Sequence, residues 1–268
     1  MNTNMNPDAN ANANANANAG AGAGAGAGAN TSTDTKDDGN VDTSTAPKRL
    51  FLAAHLSIAT TRRISDVASE LRRATASRLR AVWVPPPSMH ITLKFLGWAK
   101  PEATAAIRDV VARGIRDQQP FEVIARGVGA FPNPRSARVL WAGIDDSSGD
   151  LDRLATGVEQ WMEELGFPRE QRSFSPHVTI ARIKEGGGLE EFLPAYQSID
   201  FGRSAIREVV LYESKLRPKG SEYLVIARIP LAGTTSNKDE RQTRELVVNS
   251  VDSADSEEPN TNGGQPTT

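Results

Sequence analysis

Two kinds of hydrophobic pattern alternate along the middle of the chain. Runs with apolar residues at alternate positions or in short blocks predict strands, and runs with apolar residues three and four positions apart predict helices. The predicted strands are 48–56, 89–97, 121–131, 137–144, 174–183, 204–214 and 221–230. The predicted helices are 60–79, 101–117 and 148–165, with a short helical piece near 189–196. Helices interspersed with hairpins predict an α+β fold with a mostly antiparallel sheet.

The two ends of the chain lack such patterns. Residues 1–46 begin with Asn-Ala and Gly-Ala repeats, and residues 234–268 are rich in Asp, Glu, Ser, Thr and Asn. Neither end can bury enough apolar surface to offset the entropy lost on ordering, so we predict two disordered tails. The remaining residues, 47–233, have the size of one domain, which can consist of two lobes.

Charge separates the same three regions. Each tail carries a net charge of −4, so the overall −2 leaves the folded part at +6. A basic folded part suits an anionic ligand, although ordinary surface arginines would give the same balance. The absence of cysteine excludes disulfides, zinc–thiolate sites and thiol catalysis. No apolar run is long enough to span a bilayer, so we expect a soluble cytoplasmic monomer without a membrane partner.

The two halves of the folded part repeat one motif. His90-Ile91-Thr92 and His177-Val178-Thr179 lie 87 residues apart, and each follows a helix and a proline-containing loop. This repetition predicts an internal duplication in which each copy contributes one strand to a shared centre.

The repeated motif carries a candidate chemistry. Side chains two positions apart on a strand share a face, so His90 pairs with Thr92, and His177 with Thr179. Two imidazoles can supply the acid and the base for displacement at phosphorus, and two hydroxyls can hold the phosphoryl oxygens, without metal or cofactor. A lone histidine on a strand is more often a hydrogen-bonded structural residue, and a metal site using His55 as a third ligand is a further alternative. Because threonine fills only 19 of 268 positions, its recurrence after two of three histidines favours the functional interpretation. For His55 we expect a structural or cleft-lining role.

Four segments resemble a known family. WVPPPSMHITLKFLG (83–97), FSPHVTIAR (174–182), RLFLAAHL (49–56) and the closing 209–231 are similar to the 2H phosphoesterase superfamily, and within it to the RNA 2′,3′-cyclic phosphodiesterases, also called 2′-5′ RNA ligases. The resemblance implies a bilobal fold, with two pseudo-symmetric, mostly antiparallel sheets and outer helices around a central cleft. It also implies hydrolysis of a 2′,3′-cyclic phosphate, on RNA ends or nucleotides, to a 2′-phosphomonoester. Ligation in the same site and a non-catalytic module that binds RNA ends remain alternatives.

The resemblance also implies roles for individual residues. His90 is the proton donor and His177 the proton acceptor, while Thr92, Thr179 and Arg182 bind the phosphate. Strand alternation alone puts Arg182 on the face opposite His177, so Arg182 can reach the cleft only if the strand ends or bulges near Ala181.

The hydrophobic pattern also predicts positions for other residues near the motifs. Lys94 shares the face of His90 by period, where it would contact a phosphate or flank the cleft, whereas Phe95 falls on the opposite face and is predicted to be core. Three further aromatic residues are candidates for stacking on a base or for the core: Trp83, Phe131 and Trp141.

Overall fold

The structure is a computed structural model that describes residues 46–186, 188–217 and 220–233. The two predicted tails lie outside these ranges, apart from Ala46, so their disorder stays a prediction. Within the described ranges, no helix combines the length and the apolar character that a membrane crossing requires.

Strands and helices follow one another much as the hydrophobic pattern predicts. The strands are β1 (Lys48–Ala54), β2 (Leu79–Trp83), β3 (Ile91–Ala99), β4 (Phe121–Phe131), β5 (Val139–Asp145), β6 (His177–Gly186), β7 (Asp200–Ile206), β8 (Glu208–Arg217) and β9 (Gly220–Pro230). The helices are α1 (Ile58–Ala74), α2 (Ala103–Gly114) and α3 (Asp150–Glu164), with short 3₁₀ turns at Pro86–Ser88 and Leu193–Tyr196.

Two predicted boundaries are wrong. The first helix ends at Ala74 instead of residue 79, and the next residues form β2, a strand that the pattern did not predict. The predicted strand 204–214 is two strands, which meet at Arg207. In both cases the boundary depends on the partner strand, since β2 pairs with β6 and β7 pairs with β4, while β8 pairs with β1 and β9.

The strands form two lobes that meet at one residue pair. The described strands follow the order β7-β4-β5-β6-β3-β1-β8-β9, with β2 attached to β6, and every pairing is antiparallel. Among the described residues, β3 and β6 pair at one position, Ile91 with Val178, and both side chains are fully buried. We call the β3-β1-β8-β9 half the first lobe and the β7-β4-β5-β6-β2 half the second lobe. The predicted bilobal α+β fold is confirmed.

The helices cover the outer faces of the lobes. Helix α1 packs on β6 and β7 of the second lobe, whereas α3 packs on β3 and α2 packs on α3 and β9. Each helix turns a stripe of apolar residues toward the main core, such as Ile64 and Leu71 of α1. A small separate cluster of Phe51, Ala53, Val210 and Tyr212 lies on the other face of the first lobe. The inner faces of the lobes therefore stay free of helices and form the cleft.

Candidate active site

The two motif histidines have the same hydrogen-bonding pattern. Nδ1 of His90 lies 2.7 Å from the carbonyl oxygen of Ser88, and Nδ1 of His177 lies 2.7 Å from that of Ser175. A carbonyl oxygen only accepts, so Nδ1 carries the hydrogen and the lone pair of each neutral ring is at Nε2. The full repeated motif is therefore Ser-x-His-aliphatic-Thr. The sequence prediction missed its serine, although the same residue precedes both histidines by two positions.

The central pair of residues places the two motifs side by side. Ile91 lies between His90 and Thr92, Val178 lies between His177 and Thr179, and Ile91 faces Val178 across the joint of the lobes. The predicted pairing of each histidine with its threonine on one face therefore occurs in both lobes, and the structure brings all four side chains to the same joint. Both threonines are partly exposed.

His90 sits in an aromatic environment. Its ring centroid lies 4.9 Å from that of Phe51, 6.0 Å from that of Tyr212 and 5.1 Å from that of Tyr223. The pKa of His90 is lowered to about 3, mainly by burial and also by repulsion from the protonated forms of His55 and His177 and from Arg182, while the hydrogen bond to the carbonyl of Ser88 acts in the opposite direction. His90 is therefore neutral at pH 7 in the unliganded protein.

Among the described residues, the one aromatic ring against His177 is that of Phe131, edge-on at 5.1 Å between the ring centroids. Burial lowers the pKa of His177, the carbonyl of Ser175 raises it, and the charge of Arg182 lowers it. The two imidazoles thus share a tautomer but differ in surroundings.

His55 is bonded to a tyrosine beside His90. Nε2 of His55 lies 2.6 Å from the Tyr212 hydroxyl. Burial and the charge of Arg228 lower the pKa of His55 to about 4, and burial raises the pKa of Tyr212 to about 12. Both groups are therefore uncharged at neutral pH, and a hydrogen bond joins the phenol to Nε2 of the imidazole. Across the residues that the structure describes, no group of three or more potential ligands could hold a metal ion.

A β-bulge in β6 determines the direction of Arg182. Opposite β5, Thr179 faces Trp141 and Ala181 faces Leu140, so Ile180 is an extra residue between them. The extra residue reverses the alternation beyond it, and Arg182 turns to the face of Thr179. Its charge lowers the pKa of both His90 and His177, which places the guanidinium near both rings. The bulge that the resemblance requires is present.

A matching bulge in β3 exchanges the predicted positions of Lys94 and Phe95. Thr92 faces Ala53 and Lys94 faces Leu52, so Leu93 is the extra residue. Lys94 is only 4% exposed, and its Nζ lies 2.5 Å from Oε2 of Glu159 in α3. The predicted cleft position of Lys94 is therefore wrong, because its ammonium is ion-paired in the interior. The predicted core position of Phe95 is also wrong, since Phe95 is 48% exposed on the cleft face.

A second bulge in each strand extends this arrangement. Leu96 is the extra residue in β3, and Lys184 is the extra residue in β6 opposite β2. Every third residue consequently faces the cleft, in the series Thr92, Phe95, Trp98 and the series Thr179, Arg182, Glu185. We call Phe95 and Trp98 the aromatic wall, and Arg182 and Glu185 the charged wall. Glu185 is bound by Arg80 through contacts of 2.8 and 2.9 Å.

The other three aromatic candidates differ in position. Trp141 faces Thr179 across the β5–β6 pair and lies over Gly129, where any side chain would collide with its ring. It therefore lines the cleft in the second lobe. Phe131 is buried between Trp141 and His177, and Trp83 packs against the main core.

Comparisons with known proteins agree with this geometry. The family model described as LigT like Phosphoesterase matches residues 58–141 and 144–223, and each segment contains one histidine motif. The RNA 2′,3′-cyclic phosphodiesterase of Archaeoglobus fulgidus is 36% identical over 176 residues, which cover 65% of this chain and 96% of that protein. The enzyme of the same name from Aquifex aeolicus is 31% identical over 181 residues, covering 65% and 94%.

Solved structures with the same fold include two bacterial proteins. A crystal structure from Thermus thermophilus aligns with a TM-score of 0.59 and 29% identity, over 70% of this chain and 100% of that one. The Escherichia coli LigT structure complexed with 3′-AMP aligns with a TM-score of 0.54 and 25% identity, over 69% and 98%. The chain therefore belongs to the LigT-like family of 2H phosphoesterases.

Proposed function

We propose that the protein hydrolyses 2′,3′-cyclic phosphates at RNA ends or on nucleotides to 2′-phosphomonoesters, with His90 and His177 as a metal-independent acid–base pair. The observation that carries this proposal is the matched presentation of two Nε2 atoms, each fixed by a carbonyl bond at Nδ1, on either side of the Ile91–Val178 pair. The names of the relatives support the choice of substrate.

The reaction needs one proton removed and one delivered. Nε2 of His177 takes a proton from water as its oxygen bonds to phosphorus. The bond from phosphorus to O3′ breaks, and Nε2 of His90 gives its proton to O3′, leaving the phosphate on O2′. Solvent exchange then returns both rings to their starting states. Because two groups act on opposite sides of phosphorus, neither imidazole has to do both transfers.

The substrate itself helps to protonate His90. The pKa of His90 is about 3 in the unliganded protein. A bound cyclic phosphate brings a negative charge close to the ring, which favours the imidazolium and raises the pKa of His90. Thr92, Thr179 and Arg182 would hold the non-bridging oxygens of that phosphate, and their hydrogen bonds stabilise the charge that develops there.

The aromatic wall begins where the base of the terminal nucleotide would lie. Phe95 is three residues from Thr92 on the same face and is half exposed. Stacking on an aromatic ring accepts any base. We therefore assign Phe95 as the platform for the terminal base.

The test is turnover of a 2′,3′-cyclic nucleotide with and without EDTA, with identification of the monoester formed. His90→Ala and His177→Ala should each lower kcat by about 10²–10⁴-fold. Ser88→Ala and Ser175→Ala are matched controls that should keep full activity, because each histidine is held by the serine backbone carbonyl.

Several outcomes would contradict the proposal. Loss of activity in EDTA would refute metal independence, and a 3′-monoester product would refute the assigned leaving oxygen. Joined products with a 5′-hydroxyl RNA would indicate ligation in the same site. If the wild-type protein binds such RNA ends without turnover, the cleft is a binding module.

A further inference from the structure

The aromatic wall continues past the position assigned to the terminal base. Trp98 is 64% exposed and lies near the end of β3, the edge strand of the first lobe. Arg49 of β1 lies directly opposite it, on the same face. Among the residues that the structure describes, no hydrogen bond or ion pair engages the Arg49 guanidinium. Trp98 thus extends the exposed aromatic surface that begins at Phe95, and an exposed apolar patch rimmed by polar residues is typical of a ligand-binding groove.

Trp98 is exposed on the cleft face because β3 contains a second bulge. The bulge at Leu96 is followed by Gly97 in the left-handed region, with φ of 73°. Without this bulge, strand alternation would put Trp98 on the opposite face from Phe95. Thr92, Phe95 and Trp98 therefore form one line on the cleft face, each step spanning at most about 10 Å at a rise of about 3.3 Å per residue.

The chemistry of this line fits a single strand of nucleic acid. An exposed indole stacks on a base of any sequence, and a guanidinium pairs with a phosphodiester. The folded part carries a net charge of +6, which favours a polyanion over an apolar peptide. The line is also continuous with the candidate active site, since it begins at Thr92.

We propose that Trp98 and Arg49 form a second nucleotide subsite, which binds the nucleotide that precedes the cyclic-phosphate end of a single-stranded RNA. Trp98 stacks on its base and Arg49 binds its phosphodiester. This proposal rests on the proposed function, because the histidines fix where the RNA end lies. It makes a short oligonucleotide a better substrate than a cyclic mononucleotide.

The experiment compares an RNA oligonucleotide ending in a 2′,3′-cyclic phosphate with the corresponding cyclic mononucleotide. Trp98→Ala and Arg49→Ala should each raise KM for the oligonucleotide about 5-fold or more and leave both kinetic constants for the mononucleotide unchanged. Trp98→Phe keeps a stacking ring and should restore most of the affinity. Arg72→Ala, on the exposed surface of α1, is the control for loss of one positive charge.

Binding measured separately from turnover distinguishes the two proposals. Fluorescence anisotropy of a labelled single-stranded RNA, with the His90→Ala protein as background, should show weaker binding after Trp98→Ala. Arg49→Ala should reduce the slope of log affinity against log salt by about 0.7, the value for one phosphate contact with a single strand. If the wild-type protein hydrolyses neither substrate, the proposed function fails, and these binding losses alone decide the subsite.

Three results would overturn the second subsite. One is unchanged oligonucleotide kinetics and binding in both variants. Another is an equal rise in KM for mononucleotide and oligonucleotide, which would place Trp98 at the terminal nucleotide. The last is an effect of Arg72→Ala as large as that of Arg49→Ala, which would reduce the role of Arg49 to general charge.

Discussion

His90 and His177 have the same tautomer but not the same surroundings. Each donates from Nδ1 to a carbonyl two residues earlier. His90 is enclosed by Phe51, Tyr212 and Tyr223, and burial lowers its pKa to about 3. His177 has fewer aromatic neighbours among the described residues, and burial also lowers its pKa. Two chemically identical side chains can thus take different roles because their environments differ.

This difference predicts the pH dependence of the reaction. Both pKa values lie below the ordinary 6.5, so the bell-shaped profile of kcat/KM, which reports the free protein, should peak below pH 6.5. The bound phosphate favours both imidazolium forms, so the kcat profile should peak at a higher pH than the kcat/KM profile. Steady-state kinetics from pH 4 to 9 tests this. Coincident profiles, or a kcat/KM optimum above pH 7, would contradict it.

Arg182 should act on substrate binding more than on proton transfer. The guanidinium carries its positive charge near both histidines, where it would form an ion pair with a bound phosphate. Arg182→Ala should raise KM about 10-fold with a smaller change in kcat, as expected for a lost charge-assisted contact. Lys184→Ala, two residues farther along β6, is the control. Unchanged kinetics of the Arg182 variant would place its side chain outside the binding site.

At the scale of elements, paired bulges determine which residues reach the cleft. The extra residues Leu93 and Ile180 stand three positions after the respective histidines. Each bulge moves the residue five positions after the histidine to the cleft face, which gives Phe95 in one lobe and Arg182 in the other. The two strands therefore share a backbone arrangement but present different side chains to the cleft, an aromatic ring in one lobe and a guanidinium in the other.

The role of the second β3 bulge in substrate binding can be tested by substituting Gly97. Its positive φ disfavours any side chain, although no atom would obstruct a methyl group there. Gly97→Ala should lower the free energy of unfolding by about 1 kcal/mol and raise KM for an oligonucleotide substrate, because Trp98 would be displaced. Gly166→Ala, also at positive φ in open space just after α3, should cost similar stability without changing KM. Equal KM values in both variants would contradict a role for the bulge in binding.

The ion pair between β3 and α3 should affect stability only. Lys94 is buried and contacts Glu159 and the carbonyl oxygen of Pro168. Lys94→Ala leaves the Glu159 carboxylate without this partner and should lower the free energy of unfolding by about 3 kcal/mol. KM of the folded variant, measured at low temperature, should stay unchanged. A raised KM with unchanged stability would return Lys94 to the phosphate site.

At the scale of the whole molecule, the lobes exchange segments. Helix α1 and β2 precede His90 in the chain yet belong to the second lobe, and α3 precedes His177 yet packs on β3 of the first lobe. Each lobe therefore depends on chain segments from both halves of the sequence. We infer that neither half folds alone.

The tails should be dispensable for catalysis. The Thermus thermophilus structure is covered completely by 70% of this chain, which indicates that the fold needs no more than the middle part. A protein limited to residues 46–233 should keep kcat and KM for a cyclic nucleotide within about 2-fold, since every residue assigned to the site lies inside that range. Steady-state kinetics of the full and shortened chains checks this. A large loss would show that a tail contributes to the site.

The sequence by itself determined the candidate catalytic motif and the class of the fold. The repeated His-aliphatic-Thr motif needs only local information, because two positions along a strand always return to the same face. For the same reason, the prediction that each histidine shares a face with the threonine two positions later is correct for His90 and Thr92 and for His177 and Thr179. The alternation of strand and helix patterns was also sufficient for the α+β class.

Only the tertiary structure decided to which face the side chains after Thr92 and Thr179 point. A bulge is defined by the pairing of two strands, so Leu93 and Ile180 look like ordinary strand residues until β1 and β5 are placed beside them. One extra residue moves every later side chain to the opposite face. The first bulges therefore put Lys94 into the interior and brought Phe95 and Arg182 to the cleft. The second bulge of β3 exposed Trp98. The partner of β2 was undetermined for the same reason, because its pairing with β6 joins residues about a hundred positions apart.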